Sequence, residues 1–177
     1  MSSSASLTVL GIDPGTSSTG YGVVHSSAGS LSALCGGVIE TAADQPLERR
    51  LGAIFTELDA LLEQHRPQAV AVEEIFFGRN VRTAFAVGQA RGVVLGAAGL
   101  RGIPCFPYTP QAVKLAVCGS GGAGKQQVQR MVGLLLGLDS PPEPDHAADA
   151  LAIAICHAGR MDAAPRVPGA AATATSR

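Results

Sequence analysis

Short runs of β-branched and apolar residues, separated by turn residues, open the chain. The first run, LTVLGID, ends at Asp13 and is followed by the turn residues Pro14 and Gly15. The next two runs, GYGVVHS and LSALCGGVIET, continue the strand pattern, and their short connections allow antiparallel pairing. The pattern therefore predicts three consecutive antiparallel strands.

Helical spacing begins after the third strand. The apolar residues of PLERRLGAIFTELDALLEQH predict an amphipathic helix, and QAVAVEEIFF then predicts a strand buried on both faces. A helix rich in small residues over 81–100 would permit close approach of another backbone. The short strand IPCFPYT, a helix capped by Thr109, and the helices QQVQRMVGLLLGL and HAADALAIAICHAGR complete the predicted elements. The order indicates an α/β protein.

Length and composition bound the number of domains. The chain has 177 residues, of which 46% are hydrophobic and 15% charged, which favours one α/β domain with a substantial core. We expect this domain to span residues 7–160, after a flexible tail at residues 1–6. Residues 161–177 have no periodic apolar pattern and are expected to be disordered.

The N-terminal segment and the cysteines indicate the cellular compartment in which the protein is expected. The N-terminal residues have no basic start followed by a long apolar stretch, so neither secretion nor a membrane partner is expected. Four widely spaced cysteines form no CxxC pair, which predicts buried free thiols in a reduced cytoplasmic protein: Cys35, Cys105, Cys118 and Cys156.

Charge is distributed unevenly although the net charge is only −1. Residues 75–138 contain no Asp or Glu, which is the pattern expected of a face that binds a polyanion such as DNA. The alternative is that these basic residues scatter over a solvated surface. They are Arg79, Arg82, Arg91, Arg101, Lys114, Lys125 and Arg130.

Three carboxylates fall inside otherwise apolar elements, where burial is costly unless the charge is paired or bound to metal. They are Asp13 at the end of the first strand, Glu73 or Glu74 at the end of the fourth, and Asp149 in the last helix. If the first and fourth strands are parallel neighbours, their acids meet at the sheet edge where ligands bind. Clustered oxygen ligands suit Mg²⁺ or Mn²⁺ better than Zn²⁺.

Two further residues of the last helix can join this group. His146 and Asp145 lie three and four residues before Asp149, so either shares its helix face. Structural interpretations exist for single residues: Asp13 can be a turn former, and Asp145 can complement the helix dipole. Taken together, the acids and the basic segment favour a metal site on a nucleic-acid enzyme.

A glycine-rich segment, GSGGAGKQQ at residues 119–127, has the spacing of a phosphate-binding loop. Gln126 stands where such loops need Ser or Thr for Mg²⁺, and the segment follows a predicted helix instead of a strand. A flexible connector is the alternative. Because Lys125 lies in the acid-free segment, a DNA phosphate is a better ligand for this loop than ATP.

The motifs GIDPGTSSTGYGVV, AVEEIFFGRNVRTAFAVGQARG and DHAADALAIAICH, in this order, resemble the RuvC family of Holliday-junction resolvases. The resemblance covers about residues 7–160, with YTPQAVKLAVCGSGGAGKQQVQRMV also in register. It implies an RNase H-like α/β fold, with helices flanking a mixed sheet whose first three strands are antiparallel and later strands parallel. It also implies a homodimer that resolves four-way DNA junctions, in recombination and repair, by paired symmetric nicks.

The resemblance carries roles to individual positions. Asp13, Glu73 and Asp149 match the family's catalytic, metal-binding acids, and His146 stands where many members have aspartate. Two Mg²⁺ or Mn²⁺ ions at these four residues would assist hydrolysis that leaves 5′-phosphate and 3′-hydroxyl ends. Lys125 matches a catalytic lysine near the scissile strand.

The resemblance also implies DNA contacts by residues other than these catalytic, metal-binding ones. Phe76 matches an aromatic residue that wedges against junction bases, and Phe77 is an alternative wedge. The expected DNA-binding cations are Arg79, Arg82, Lys114 and Lys125.

Other functions and partners stay open at this point. A junction-binding module without catalysis would explain His146 as the mark of a decayed site. An actin-like ATPase or kinase could use DPGTSSTG, although the chain is short for the two related domains that such enzymes need. A branch-migration motor complex of RuvA and RuvB type is a further partner that the resemblance implies.

Overall fold

The computed structural model describes residues 6–74 and 81–163, without the side chains of residues 81–83, 162 and 163. Most of both predicted tails therefore lies outside the described residues. The elements are β1 (Leu7–Asp13), β2 (Ser18–Ser27), β3 (Ser30–Glu40), α1 (Leu47–His65), β4 (Ala69–Glu73), α2 (Val81–Leu100), β5 (Cys105–Tyr108), α3 (Pro110–Cys118), α4 (Lys125–Leu136) and α5 (Asp145–Ala163).

The strands form one mixed sheet in the order β3-β2-β1-β4-β5. The first three strands pair antiparallel, whereas β4 pairs parallel with both β1 and β5. The predicted sheet is therefore confirmed. Because Ile12 lies opposite Val72, the residues that follow them, Asp13 and Glu73, end adjacent strands at one edge.

Helices cover both faces of the sheet, and strand alternation decides which residues face which helices. Leu10 packs in a core with α1 and α2, whereas Val9 and Ala71 pack in a second core with α3, α4 and α5. Asp13 and Glu73 share the alternation of Val9 and Ala71. Both carboxylates therefore belong to the α5 side.

Glycines in β1 and β2 allow α5 to lie very close to the sheet. A Cβ atom at Gly11 would lie 2.0 Å from the carbonyl oxygen of Ala150, and one at Gly20 would lie 2.0 Å from that of His146. No side chain fits at these distances, so only glycine permits this approach. The N-terminal part of α5 consequently lies over the end of β1.

The burial predicted for the cysteines is correct for Cys156 alone. All four are free thiols, but Cys35, Cys105 and Cys118 are half-buried. Cys35 and Cys105 belong to the two edge strands and Cys118 ends a helix, positions that leave one side open. Within the described part of the chain, no helix has both the length and the apolarity needed to cross a membrane.

The acid-free segment divides between the two faces of the molecule. Arg101, just after α2, lies 2.6 Å from a carboxylate oxygen of Asp59 and 3.3 Å from one of Glu63 on α1. Lys114 and Lys125 belong to α3 and α4 on the opposite face. The prediction of one basic face therefore does not hold for Arg101, whose charge is used in packing α2 against α1.

Candidate active site

Three side chains from β1 and α5 meet at the carboxyl end of β1. Asp13, His146 and Asp149 each offer one ligand atom, and these atoms all lie within 4.8 Å of one another. The Nδ1 atom of His146 lies 2.7 Å from Oδ2 of Asp13. An imidazole Nδ1–H can donate this hydrogen bond to the Asp13 carboxylate.

We call Asp13, His146 and Asp149 the acidic group. Glu73 lies beside this group at the end of β4. Burial, the negative charge of Asp13, a hydrogen bond with Asp13 and the charge of Asp149 raise the pKa of Glu73 to about 8. Burial and the charge of Asp13 also raise the pKa of Asp149, although Lys125 and His146 oppose that rise. A bound cation would stabilise all three carboxylates as anions.

The donor set fits a hard divalent cation. It combines carboxylate oxygens with one imidazole, and no thiolate takes part, which suits Mg²⁺ or Mn²⁺ better than Zn²⁺. Among residues 6–74 and 81–163, Asp13, His146 and Asp149 are the one such group of three or more His, Cys, Asp or Glu residues. Glu73 interacts with Asp13 and Asp149 from the end of the neighbouring strand β4.

Glu74, the alternative to Glu73 in the sequence, occupies a different environment. It is exposed beyond the end of β4, and its backbone N–H donates a 2.8 Å hydrogen bond to the carbonyl of Tyr108. Glu73 is half-buried on the α5 side. The strand alternation therefore brings Glu73, and not Glu74, to the acidic group.

Asp145 points away from the acidic group toward α4. Its Oδ2 atom lies 2.8 Å from Nζ of Lys125, and its Oδ1 atom accepts a 2.6 Å hydrogen bond from Nε2 of Gln129. The hydrogen bond from Lys125 is the main cause that lowers the pKa of Asp145. His146, and not Asp145, joins Asp149 beside Asp13.

The two lysines that the sequence predicts to bind DNA border a cleft of about 230 Å³ beside Glu73 and Asp149. Glu73, Asp149, Lys114 and Lys125 line it, together with apolar residues of α3, α4 and α5. Nζ of Lys125 lies 3.9 Å from Oδ2 of Asp149. Positive charge therefore borders the acidic group on the side of α3 and α4, where a phosphate backbone could approach.

The glycine-rich segment connects two helices. Gly119 ends α3 in the left-handed conformation with φ 72°, and Gly124 precedes α4, of which Lys125 is the first residue. A nucleotide-binding P-loop follows a strand, so this placement does not support ATP binding. The predicted cap of α3 is confirmed, since the Thr109 side chain accepts a hydrogen bond from the backbone N–H of Ala112.

Some predicted DNA contacts cannot be placed. Phe76, Phe77 and Arg79 lie outside the described residues, as does the side chain of Arg82. They stay predictions.

Sequence reasoning missed two contributors to the site. Gln129 follows Lys125 by one helical turn on the same face of α4, a spacing that could have indicated a shared partner. Gly20 allows the His146 backbone to approach β2, and glycine among the β-branched residues of a strand was the available signal.

Comparison with known proteins decides the family. The family model for the crossover junction endodeoxyribonuclease RuvC matches residues 9–157. The chain belongs to the RuvC family. The protein named crossover junction endodeoxyribonuclease RuvC in Syntrophomonas wolfei is 55% identical over 149 residues, which is 84% of this chain and 87% of the relative. Its counterpart in Moorella thermoacetica is 53% identical over 150 residues, 85% of this chain and 90% of the relative.

Solved structures agree with this assignment. Thermus thermophilus RuvC in complex with a Holliday junction substrate matches with a TM-score of 0.83 at 45% identity, covering 88% of this chain and 96% of that one. The yeast mitochondrial Holliday junction resolvase Ydc2 matches with a TM-score of 0.59 at 17% identity, covering 84% and 77%, and supports the fold alone. The predicted family and fold class are confirmed, and the protein is a nuclease of the crossover junction endodeoxyribonuclease class.

Proposed function

We propose that this protein resolves four-way DNA junctions in recombination and repair by paired, symmetric nicks. The observation that carries the proposal is the convergence of Asp13, His146 and Asp149, with Glu73 beside them, at the carboxyl end of two parallel strands. A relative of 45% identity binds a Holliday junction substrate in its solved complex. The actin-like ATPase alternative has no support from the family match.

Asp13, Glu73, His146 and Asp149 would hold two Mg²⁺ or Mn²⁺ ions. Such ions, when bound, activate water and stabilise the leaving oxygen of a phosphodiester. The residues themselves supply negative charge and fixed orientation, since His146 holds the Asp13 carboxylate by a 2.7 Å hydrogen bond. Attack of water on the phosphorus, with the 3′-oxygen as the leaving group, would leave 5′-phosphate and 3′-hydroxyl ends without a protein nucleophile.

The cleft beside the acids suits a DNA strand. Lys114 and Lys125 line it and can neutralise backbone phosphates, which supplies affinity that depends on salt. Lys125 is 3.9 Å from Asp149 and is the lysine that we propose as catalytic. We retain Phe76 or Phe77 as the base wedge, and Arg79 and Arg82 as further DNA contacts.

A second copy of the chain is the proposed partner at α2. The exposed face of this helix carries Gly92 and Gly96 beside the exposed apolar side chains of Phe85 and Leu95. Within the described residues, nothing lies within 4 Å of a Cβ atom built at Gly92 or Gly96, so another helix backbone can approach closely. A two-fold dimer would present two sites to two strands of like polarity.

The cellular setting is proposed on the same basis. Free cysteines and a DNA substrate fit the bacterial cytoplasm. A branch-migration motor of RuvA and RuvB type is a proposed partner of the dimer, from the family resemblance.

Nicking of an end-labelled synthetic four-way junction tests the proposal, with the linear duplex of the same sequence as the control. We expect symmetric nicks in two strands of the junction with Mg²⁺ or Mn²⁺, none with EDTA, and no cleavage of the duplex. Tight junction binding without nicks in either metal would support a binding module instead. Equal cleavage of junction and duplex would contradict structure selectivity.

A further inference from the structure

A polar cluster outside the acidic group joins α4 to α5. It consists of Lys125 and Gln129, which lie one turn apart on α4, and Asp145, the first residue of α5. Lys125 Nζ lies 2.8 Å from Oδ2 of Asp145, and Gln129 Nε2 donates to Oδ1 at 2.6 Å. Both carboxylate oxygens are engaged, so the orientation of the Asp145 side chain is defined from two sides.

The cluster determines where the Lys125 ammonium lies. Its contact with Asp145 is short, and its distance to Oδ2 of Asp149 is 3.9 Å. Asp145 and Asp149 are four residues apart on α5 and lie on one face of the helix. Lys125 is thereby held between a carboxylate of the acidic group and a carboxylate outside it.

Folding alone gains little from this ion pair. The side chains of Lys125 and Asp145 are 53% and 55% exposed, and exposed pairs of this kind contribute little to stability. A lysine with a long flexible side chain, however, gains defined orientation from a fixed partner. Orientation of a functional group before the substrate arrives lowers the barrier of the reaction that follows.

We propose that Asp145 is a positioning residue, which Gln129 holds in place and which keeps the Lys125 ammonium beside the acidic group for reaction with the scissile strand. This inference rests on the proposed catalytic role of Lys125. Asp145 contacts neither Asp13 nor the reacting phosphate in this scheme, and it acts through Lys125 alone.

A double-mutant cycle tests the inference. Single-turnover nicking of the four-way junction is measured at saturating protein for wild type, Asp145→Asn, Lys125→Ala and the double variant. Asparagine keeps the acceptor for Gln129 but removes the charge that holds Lys125. We expect Asp145→Asn to lower the nicking rate about 10-fold, as loss of an outer partner commonly does, with junction affinity unchanged. In the Lys125→Ala background, Asp145→Asn should cause no further loss.

Two further variants separate positioning from other effects. Asp145→Glu keeps a carboxylate and should nick faster than Asp145→Asn. Asp139→Asn removes an exposed charge from the connection between α4 and α5 and should nick at the wild-type rate. Thermal unfolding should be nearly the same for all of these variants, because the affected side chains are exposed.

Several results would overturn the inference: wild-type nicking by Asp145→Asn or by Lys125→Ala, an equal loss in both cycle backgrounds, or an equal loss in Asp139→Asn. A wild-type protein that does not nick the junction would refute the proposed function itself. A wild type that nicks, beside an unaffected Asp145→Asn, would refute only the role of Asp145.

Discussion

Glu73 is half-buried at the end of β4, and its pKa is about 8 against an ordinary value of 4.5, because of burial and the nearby Asp13 and Asp149. An acid whose pKa is higher in the folded protein binds a proton on folding. Its contribution to the free energy of unfolding is complete below pH 4.5 and is lost as the pH rises through about 8. The raised pKa of Asp149 acts in the same direction.

The metal-free protein should therefore lose stability as the pH rises from 4.5 to about 8, the interval between the ordinary and the raised pKa of Glu73. We expect its melting temperature in EDTA to fall over this interval by several degrees more than that of Glu73→Gln, which has no charge to release. Mg²⁺ should restore wild-type stability most at the alkaline end. An equal fall of melting temperature with pH in wild type and Glu73→Gln would show that Glu73 is not the titrating group.

By the family resemblance, His146 stands where an aspartate is expected in many members. The Nδ1 atom of His146 lies 2.7 Å from Oδ2 of Asp13. A carboxylate at position 146 would be directed toward the same space beside Asp13. We expect His146→Asp to retain junction nicking within about 10-fold of wild type and His146→Ala to lose about 100-fold or more, since loss of one general acid–base or ligand group has that scale. Equal rates for His146→Ala and wild type would show that the imidazole is dispensable.

At the scale of elements, the depth of α5 against the sheet brings the site together. Asp13 and Glu73 are placed by strand pairing, but His146 and Asp149 reach them only because α5 lies directly over Gly11 and Gly20. Any side chain at either glycine would push the helix outward.

Gly20→Ala tests this dependence. Its methyl group would lie 2.0 Å from the carbonyl oxygen of His146, so the start of α5 must move. We expect the free energy of unfolding to fall by about 1–3 kcal/mol or more, as overpacking does, together with a loss of nicking. Gly52→Ala on the exposed face of α1 is the matched control, because nothing lies within 4 Å of the added atom among the described residues. It should raise stability by about 0.5–1 kcal/mol. Equal stability of the two variants would refute the packing argument.

Much of this arrangement could be predicted from sequence, because it depends on local pattern. Acids inside apolar elements indicated Asp13, one of the pair Glu73 and Glu74, and Asp149 from the sequence. Apolar context left Glu73 and Glu74 open, and only the family resemblance favoured Glu73. In the structure, Glu73 lies on the α5 side of β4 and Glu74 is exposed. Two ion pairs could not be predicted in this way: that of Asp145 with Lys125 and that of Arg101 with Asp59 of α1. Both depend on tertiary contacts between segments distant in sequence. Periodicity carries no information about such contacts.

At the scale of the whole molecule, paired nicking needs two sites in fixed relation. The exposed face of α2 is the surface that we propose for the contact between two copies of the chain. Leu95→Glu should halve the mass in multi-angle light scattering and abolish coordinated nicking of two strands, because a buried unpaired charge is costly at an interface. Leu34→Glu on β3, another exposed leucine, should leave the mass unchanged. A Leu95→Glu variant of wild-type mass would place the contact elsewhere.

Junction cleavage by the acidic group at the end of β1 is the function that we propose for the whole molecule. We would compare single-turnover nicking of a four-way junction by Asp13→Asn and by wild type, with junction binding measured on the same preparations. We expect Asp13→Asn to lose about 1,000-fold or more in nicking rate with junction affinity nearly unchanged, since phosphate contacts supply most of the affinity. Nicking by Asp13→Asn at a rate close to wild type would contradict this proposed function.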